Sequence, residues 1–251
     1  MPTLQDTLET LESIAPLRLA ADWDNVGLLL EGTRDVSRIF LTIDLTQAVV
    51  EEALEAEADL VLAYHPPIFG GLKRLTTRNA SGLLRLIRSG IHVYSPHTAL
   101  DAAADGMGDW LLDTFEVSER APVTPDAIDP AVGIGRVGTL TRTLSSREAI
   151  ARTKAHLGLS HVRVAAGTRP IRRVAVCPGA GHSVLSDARD VDLVLTGEMR
   201  HHDVLAWTRR GVTVILTDHT NTERGFLPLL ADRLAYETVV SRVDADPLAV
   251  R

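Results

Sequence analysis

Short apolar runs alternate with helical patterns along most of this chain. The apolar runs predict strands at 39–45, 60–63, 91–95, 161–165, 173–177, 191–195, 212–217 and 237–243. Amphipathic stretches between them predict helices at 47–58, 81–88, 147–157, 200–209 and 222–235. Strands that alternate with helices in this way are typical of a mainly parallel sheet covered by helices. We therefore expect an α/β fold.

Polar residues at the ends of two of these helices indicate where the helices begin and stop. Thr46 is placed to cap the helix that starts at 47, and Ser145 with Glu148 has the spacing of a capping box. Gly158 directly follows this second helix, at 147–157, and is expected to close it.

A proline-rich stretch at 121–131 is expected to link two lobes, because prolines interrupt regular structure. The chain is accordingly divided into a first α/β lobe at 1–125 and a second α/β lobe at 126–251. In this division the last helix and strand can still pack against the first lobe.

Composition and charge exclude several classes of protein. The 251 residues are 45% apolar and 24% charged, as in soluble globular proteins, and no apolar run approaches the roughly 20 residues of a membrane helix. The net charge of -7 argues against general binding to nucleic acid. Cys177 is the only cysteine, so a disulfide framework is excluded and a reducing cytoplasm is the expected location.

Histidines and carboxylates follow three of the predicted strands. His65 ends the second strand, His97 and Asp101 follow the third, and His219 with Glu223 follows the strand at 212–217. Ligands of open α/β sheets bind at the carboxyl ends of strands, so these side chains are expected to converge. Imidazole and carboxylate groups suit Zn, Fe, Mn, Co or Ni, and Asp101 is the expected bridge between two such ions.

Each of these residues also has a structural explanation that the sequence leaves open. Glu223 has the spacing of a capping box with Thr220. His65 and His97 have ring nitrogens that can hydrogen-bond to turn backbone. The occurrence of such residues at three separate strand ends nevertheless favours metal binding over these separate explanations.

A further polar segment, Thr196–Asp203 (TGEMRHHD), follows the strand at 191–195. In one interpretation its acids only favour a helix N-terminus. In the other, Glu198 and His201 or His202 carry protons or orient the ligands of the site. A glycine-containing turn, Cys177–His182, has the composition of a loop that cradles an anion, although a plain connection uses glycines as well.

Five short motifs, taken in order, resemble the Nif3-like dinuclear metal-centre family, whose members are also known as type 2 homologues of GTP cyclohydrolase I. They are WDNVGL at 23–28, YHPPIF at 64–69, PHTALD at 96–101, TGEMRHHD at 196–203 and TDHTNTER at 217–224.

The resemblance implies a three-layer α/β protein of two related lobes with a metal cleft between them, assembled as a homohexamer that is built from dimers. It implies the metal ligands His65, Asp101, His219 and Glu223. The family's paired histidines fall on Tyr64 and His65, and a phenol is a poor neutral ligand near pH 7 because its pKa is about 10.

The leading hypothesis from the sequence is a hydrolase that uses two divalent metal ions on a small nucleotide-like or phosphorylated substrate. Glu198, His201 and His97 are the candidate proton carriers, and the resemblance implies GTP ring opening. The alternative is a non-catalytic metal-binding or regulatory protein that acts through protein partners. Neither hypothesis involves a membrane.

Overall fold

The computed structural model describes residues 2–248. The strands of this range are β1 (Gly27–Leu30), β2 (Arg38–Thr42), β3 (Leu60–Ala63), β4 (His92–Ser95), β5 (Val117–Pro125), β6 (Gly133–Leu144), β7 (Arg163–Ala165), β8 (Ile171–Cys177), β9 (Leu193–Thr196), β10 (Thr213–Leu216) and β11 (Glu237–Val240). Its α-helices are α1 (Leu4–Ile14), α2 (Gln47–Glu55), α3 (Ser81–Arg88), α4 (His97–Ala102), α5 (Met107–Leu112), α6 (Ser146–Leu157), α7 (His182–Leu185), α8 (His201–Arg209) and α9 (Leu227–Arg233). The predicted α/β class is confirmed.

The described chain forms two compact units. The first contains 2–100 and 226–247, and the second contains 101–225 and 248. The sequence-based division falls after 125 instead. The units divide earlier because 117–125 is a strand of the second sheet, and α9 and β11 belong to the first unit because β11 pairs with β2.

The first unit is built on a mainly parallel sheet of strand order β1-β4-β3-β2-β11, in which only β1 runs antiparallel to its neighbour. Its core joins Phe40, Val61 and Val93 of the sheet to Val50 of α2 and Leu86 of α3. Strands buried on both faces read as continuous apolar runs, which is why the sequence showed β2, β3 and β4 clearly.

The second unit is built on a mixed sheet of strand order β5-β6-β8-β9-β10-β7. Only the central strands β8, β9 and β10 run parallel to one another. Its core packs Ala175, Val194 and Val214 of these strands against Leu185 of α7 and Trp207 of α8. The parallel strands have their carboxyl ends at one edge, and the loops after them carry the polar residues of interest.

The prediction of a linker at 121–131 is wrong. Residues 121–125 of this stretch belong to β5, which forms a hairpin with β6 and pairs Pro122 with Arg136 and Pro125 with Gly133. Proline cannot donate to a strand ladder, but β5 is an edge strand and needs only one hydrogen-bonded neighbour. The prolines therefore mark a sheet edge.

The predicted helix ends are confirmed. The Thr46 hydroxyl accepts a hydrogen bond from Val49 N, and Ser145 and Glu148 form a reciprocal capping box. Gly158 closes α6 with a left-handed φ of 67°, a conformation that costs glycine little.

The helix predicted from 222 starts later than expected. Short 3₁₀ turns occupy Thr220–Thr222 and Arg224–Phe226, and α9 begins only at Leu227, with a proline in its first turn. Proline is favoured there because the first helical N–H groups have no partner within the helix. Glu223 therefore lies between two turns, and it does not cap an α-helix with Thr220.

The second unit buries the guanidinium of Arg136, whose side chain is only 2% exposed. Its Nε and Nη2 donate to the two carboxylate oxygens of Asp109, each at 2.9 Å. The carbonyl oxygens of Ala102 and Ala103 accept further hydrogen bonds from Nη2. This network fixes the end of α4 and the start of α5 against β6.

Among residues 2–248, every helix is too short or too polar to cross a bilayer.

Candidate metal centre

His65 lies at the carboxyl end of β3 in the first unit. Its backbone N–H continues the parallel pairing by donating to Ile43 O at 3.0 Å. Its Nδ1 lies 2.9 Å from Oδ1 of Asp44, which follows the neighbouring strand β2. Because parallel strands end at the same edge, two residues distant in sequence leave the sheet side by side. Nδ1 is thus engaged with the carboxylate.

His97 lies at the carboxyl end of β4 and begins α4, with a φ of 28° that is unusual for a residue with a side chain. Its Nδ1 lies 2.8 and 2.9 Å from the two carboxylate oxygens of Asp24. The carboxylate also accepts hydrogen bonds from the backbone N–H and the hydroxyl of Thr98. Burial acts to raise the pKa of Asp24, but the hydrogen bonds from His97 and Thr98 outweigh burial and lower that pKa.

The rings of Tyr64, His65 and His97 form one cluster in the first unit. Ring centroids lie 5.0 Å apart for Tyr64 and His65, and 5.4 Å apart for His97 with each of the other two. Tyr64 is buried, with 1% of its surface exposed. Three residues that the sequence assigned to the site are therefore together in this unit.

His219 occupies the corresponding place in the second unit, just after β10. The preceding residue, Asp218, has a φ of 67°, so the chain turns sharply there. Nδ1 of His219 lies 2.8 Å from Oε1 of Glu198, and Nε2 lies 3.4 Å from Oε1 of Glu223. Glu223 is 1% exposed, which keeps its carboxylate beside the imidazole. These two residues belong to a cluster of histidine and glutamate side chains that could hold a metal ion.

The backbone of Gly179 lies close to the side chains of His219 and Glu223. It has a φ of 58°, and a Cβ atom there would lie 2.8 Å from both Glu223 Oε1 and His219 Nε2. Its N–H donates to the Thr222 hydroxyl at 2.8 Å, which fixes the loop. Any side chain at this position would fill the space at the two donor atoms. The glycine turn singled out in the sequence therefore borders two atoms that could hold a metal ion, Nε2 of His219 and Oε1 of Glu223.

Asp101 lies in α4 and is 8% exposed. Its carboxylate and that of Glu223 both influence the buried thiol of Cys177. Burial is the main cause that raises the pKa of this thiol, and the two negative charges add to it. Asp101 and Glu223 are thus near the same thiol, and Cys177 is the inert, protonated cysteine expected from its position.

His201 is the first residue of α8. It is exposed in the first turn of α8, where its ring contacts that of His202 at a centroid distance of 5.4 Å. Within residues 2–248 no hydrogen bond or ion pair links His201 with Glu198 or His219. Its role as a proton carrier stays a prediction.

His65, His97 and His219 share one arrangement, in which a carboxylate lies within hydrogen-bond distance of the ring nitrogen Nδ1. Histidines that bind metal ions are usually oriented in this way by a second group. The partners Asp24 and Asp44 were not among the predicted site residues. The signal for Asp44 was an acid at the end of an apolar strand, and that for Asp24 was its place in the WDNVGL motif.

Helices on two mixed sheets, with histidines held by carboxylates at the carboxyl ends of strands, define an α/β protein with a candidate divalent-metal site. The comparisons with known proteins agree. The family described as Duf34/NIF3 (NGG1p interacting factor 3) matches residues 2–247, and the chain belongs to this family. The resemblance drawn from the motifs is confirmed.

Relatives of known sequence and structure cover nearly the whole chain. It is 41% identical over 265 residues to a protein of Schizosaccharomyces pombe named "Protein NIF3 homolog", covering 96% of this chain and 95% of that one. It is 30% identical over 256 residues to a "GTP cyclohydrolase 1 type 2 homolog" of Clostridium perfringens, covering 97% and 98%. A crystal structure of a Bacillus cereus protein related to NIF3 has a TM-score of 0.88 at 19% identity, covering 100% and 99%, and supports the fold.

Proposed function

We propose that this protein binds two divalent metal ions through His65, Asp101, His219 and Glu223, with Asp101 as the bridge. Tyr64 occupies a further ligand position, which the family resemblance assigns to a histidine. The observation that carries the proposal is the carboxylate at Nδ1 of His65 and of His219. A carboxylate at one ring nitrogen orients the imidazole, and the proposal assigns the ion to the other ring nitrogen, Nε2.

The residues fit such ions in chemistry as well as in arrangement. Imidazole nitrogen and carboxylate oxygen suit Zn, Fe, Mn, Co or Ni. The close approach of Gly179 to the donor atoms of His219 and Glu223 leaves room for an ion where a side chain would stand. Divalent ions in such a site act as Lewis acids and make water a nucleophile at neutral pH.

We propose that the activity is hydrolysis of a small nucleotide-like or phosphorylated molecule. His97 is the best-placed proton acceptor, because the buried Asp24 carboxylate contacts its Nδ1 and holds the ring in one orientation. Glu198 orients His219 in the same way. The name of the Clostridium perfringens relative supports a nucleotide substrate. His201 is the remaining candidate proton carrier.

The test combines metal content with turnover. Chelator-treated protein is reloaded with Zn, Mn, Fe, Co or Ni, and each form is assayed against nucleotides and phosphoesters. We expect about two ions per chain and turnover that requires them. Asp101→Ala is expected to keep the fold and to hold one ion or none by elemental analysis. Two ions in Asp101→Ala would contradict the bridging role, and loaded protein without turnover would contradict the hydrolase.

A second candidate is a non-catalytic metal-binding protein that acts through protein partners. The family description, NGG1p interacting factor 3, favours it because it names a protein interaction. This candidate predicts bound metal with no turnover, and a partner recovered from cell extract only with the loaded form. The predicted homohexamer is tested in the same preparations by sedimentation velocity, and the predicted cytoplasmic location by fractionation.

A further inference from the structure

A cavity of about 660 Å³ opens beside His219 in the second unit. Its wall includes Glu198, whose carboxylate contacts Nδ1 of His219 at 2.8 Å. His182, Ser183, Arg200 and Asp203 complete the polar part of the wall. The cavity is therefore lined by Glu198, the residue that orients the candidate metal ligand His219, and it is large enough for a small molecule.

The charged groups of this cavity differ in whether they already have partners. Glu198 is paired with His219, and Oδ1 of Asp203 lies 3.2 Å from Nε2 of His182. Within residues 2–248 the guanidinium of Arg200, by contrast, makes no hydrogen bond or ion pair. Each acid thus already contacts a histidine, whereas the arginine is the charged group of this wall without such a contact in the described range.

Ser183 adds a neutral donor to the same wall. Its side chain is exposed, and its hydroxyl makes no hydrogen bond within the described part of the chain. A guanidinium presents a planar fork of N–H groups that matches two oxygens of a phosphate, and a hydroxyl can donate to a third. The two side chains supply the donors that an oxyanion requires.

We infer that Arg200, assisted by Ser183, binds a phosphate group of the substrate and so determines specificity for phosphorylated molecules. The inference rests on the proposed function for its reaction, because it assigns the substrate of that site. An arginine on an open surface could be solvated without any ligand. Arg200 differs because it lines a cavity together with the carboxylate that holds His219.

The first test measures binding of inorganic phosphate to the full-length protein by calorimetry, after chelator treatment so that metal ions do not bind the probe. Arg200→Gln is expected to weaken binding roughly 10-fold or more, since a charge-assisted hydrogen bond is lost. Arg200→Lys should recover part of the loss, and Ser183→Ala should lose less than Arg200→Gln. Arg209→Gln is the matched control, because Arg209 is an exposed arginine at the far end of α8, the helix that Arg200 precedes, and this variant should bind as the unmodified protein does.

Equal phosphate affinity in Arg200→Gln and Arg209→Gln would overturn the inference, as would an unmodified protein that binds no phosphate. A second measurement separates this inference from the proposed hydrolase. With metal-loaded protein, Arg200→Gln should raise KM for a phosphorylated substrate about 10-fold and leave KM for its dephosphorylated analogue unchanged. Turnover with an unchanged KM would keep the hydrolase and reject the role of Arg200. Phosphate binding that depends on Arg200 without any turnover would keep the role of Arg200 and reject the hydrolase.

Discussion

Replacing Glu198 with glutamine removes the charge that holds the His219 ring and leaves the side chain's shape nearly unchanged. We expect this substitution to weaken binding of a divalent ion at His219. Loss of a group that orients a metal-binding histidine typically costs 10- to 100-fold in affinity, which is about 1.4 to 2.7 kcal/mol. The 2.8 Å distance between Glu198 Oε1 and His219 Nδ1 favours a measurable loss of affinity. The loss is reduced because the Glu198 side chain is 54% exposed and solvent screens its charge. We therefore expect a loss of about 10-fold.

The assay is competition for Zn²⁺ between the protein and a chromophoric chelator of known affinity at neutral pH. Glu119→Gln is the matched control, because Glu119 is an exposed acid of β5 in the same unit and its side chain makes no hydrogen bond or ion pair within residues 2–248. Circular dichroism checks that both variants are folded. Equal Zn²⁺ affinity in Glu198→Gln and Glu119→Gln would refute the idea that this carboxylate orients the ligand.

Three further substitutions test other parts of the structure. Tyr64→His supplies the imidazole that the family resemblance places there. Because a phenol is a poor neutral ligand, this variant should bind a divalent ion more tightly than the unmodified protein does; identical binding isotherms would rule this out. Asp109→Ala removes the carboxylate partner of the buried Arg136 and should lower the free energy of unfolding by about 3–5 kcal/mol in urea denaturation. A loss below about 1 kcal/mol would show that the pair is dispensable. Hydrogen bonds from Ser145, with that from Arg142, lower the pKa of Glu148 from 4.5 to about 2, so its charged form stabilises the protein fully above pH 4.5 and no longer does so once the pH has fallen through about 2. The melting temperature of Glu148→Gln should therefore lie below that of the unmodified protein above pH 4.5 and approach it near pH 2; a constant difference would contradict this.

The elements that the sequence predicted well are those whose local signals agree with their environment. The strand at 60–63 and the helix at 81–88 occur where they were predicted. Each is either an apolar run buried in the sheet or an amphipathic stretch packed on it. The hairpin of β5 and β6 was missed because prolines usually end a strand, and an edge strand that tolerates them is recognised only when its neighbour is known.

Some residues of the candidate site could likewise be predicted from the sequence, and others could not. His65, His97 and His219 could be proposed from the sequence because each directly follows an apolar strand. Their acidic partners could not, because Asp24 is 73 positions from His97 and Asp44 is 21 from His65. No local pattern links such pairs. The packing of β3 beside β2 brings Asp44 to His65, and the turn before β1 brings Asp24 to His97.

The proposed function requires that histidine Nε2 atoms and carboxylates of this chain bind divalent ions. Anomalous diffraction from crystals grown with zinc and without chelator, measured on both sides of the zinc absorption edge, would locate such ions. We predict two peaks per chain, with one within about 2.0–2.2 Å of His219 Nε2 and of a Glu223 oxygen. Well-diffracting crystals in which no peak contacts His219, or in which the ion binds Nδ1, would contradict this prediction.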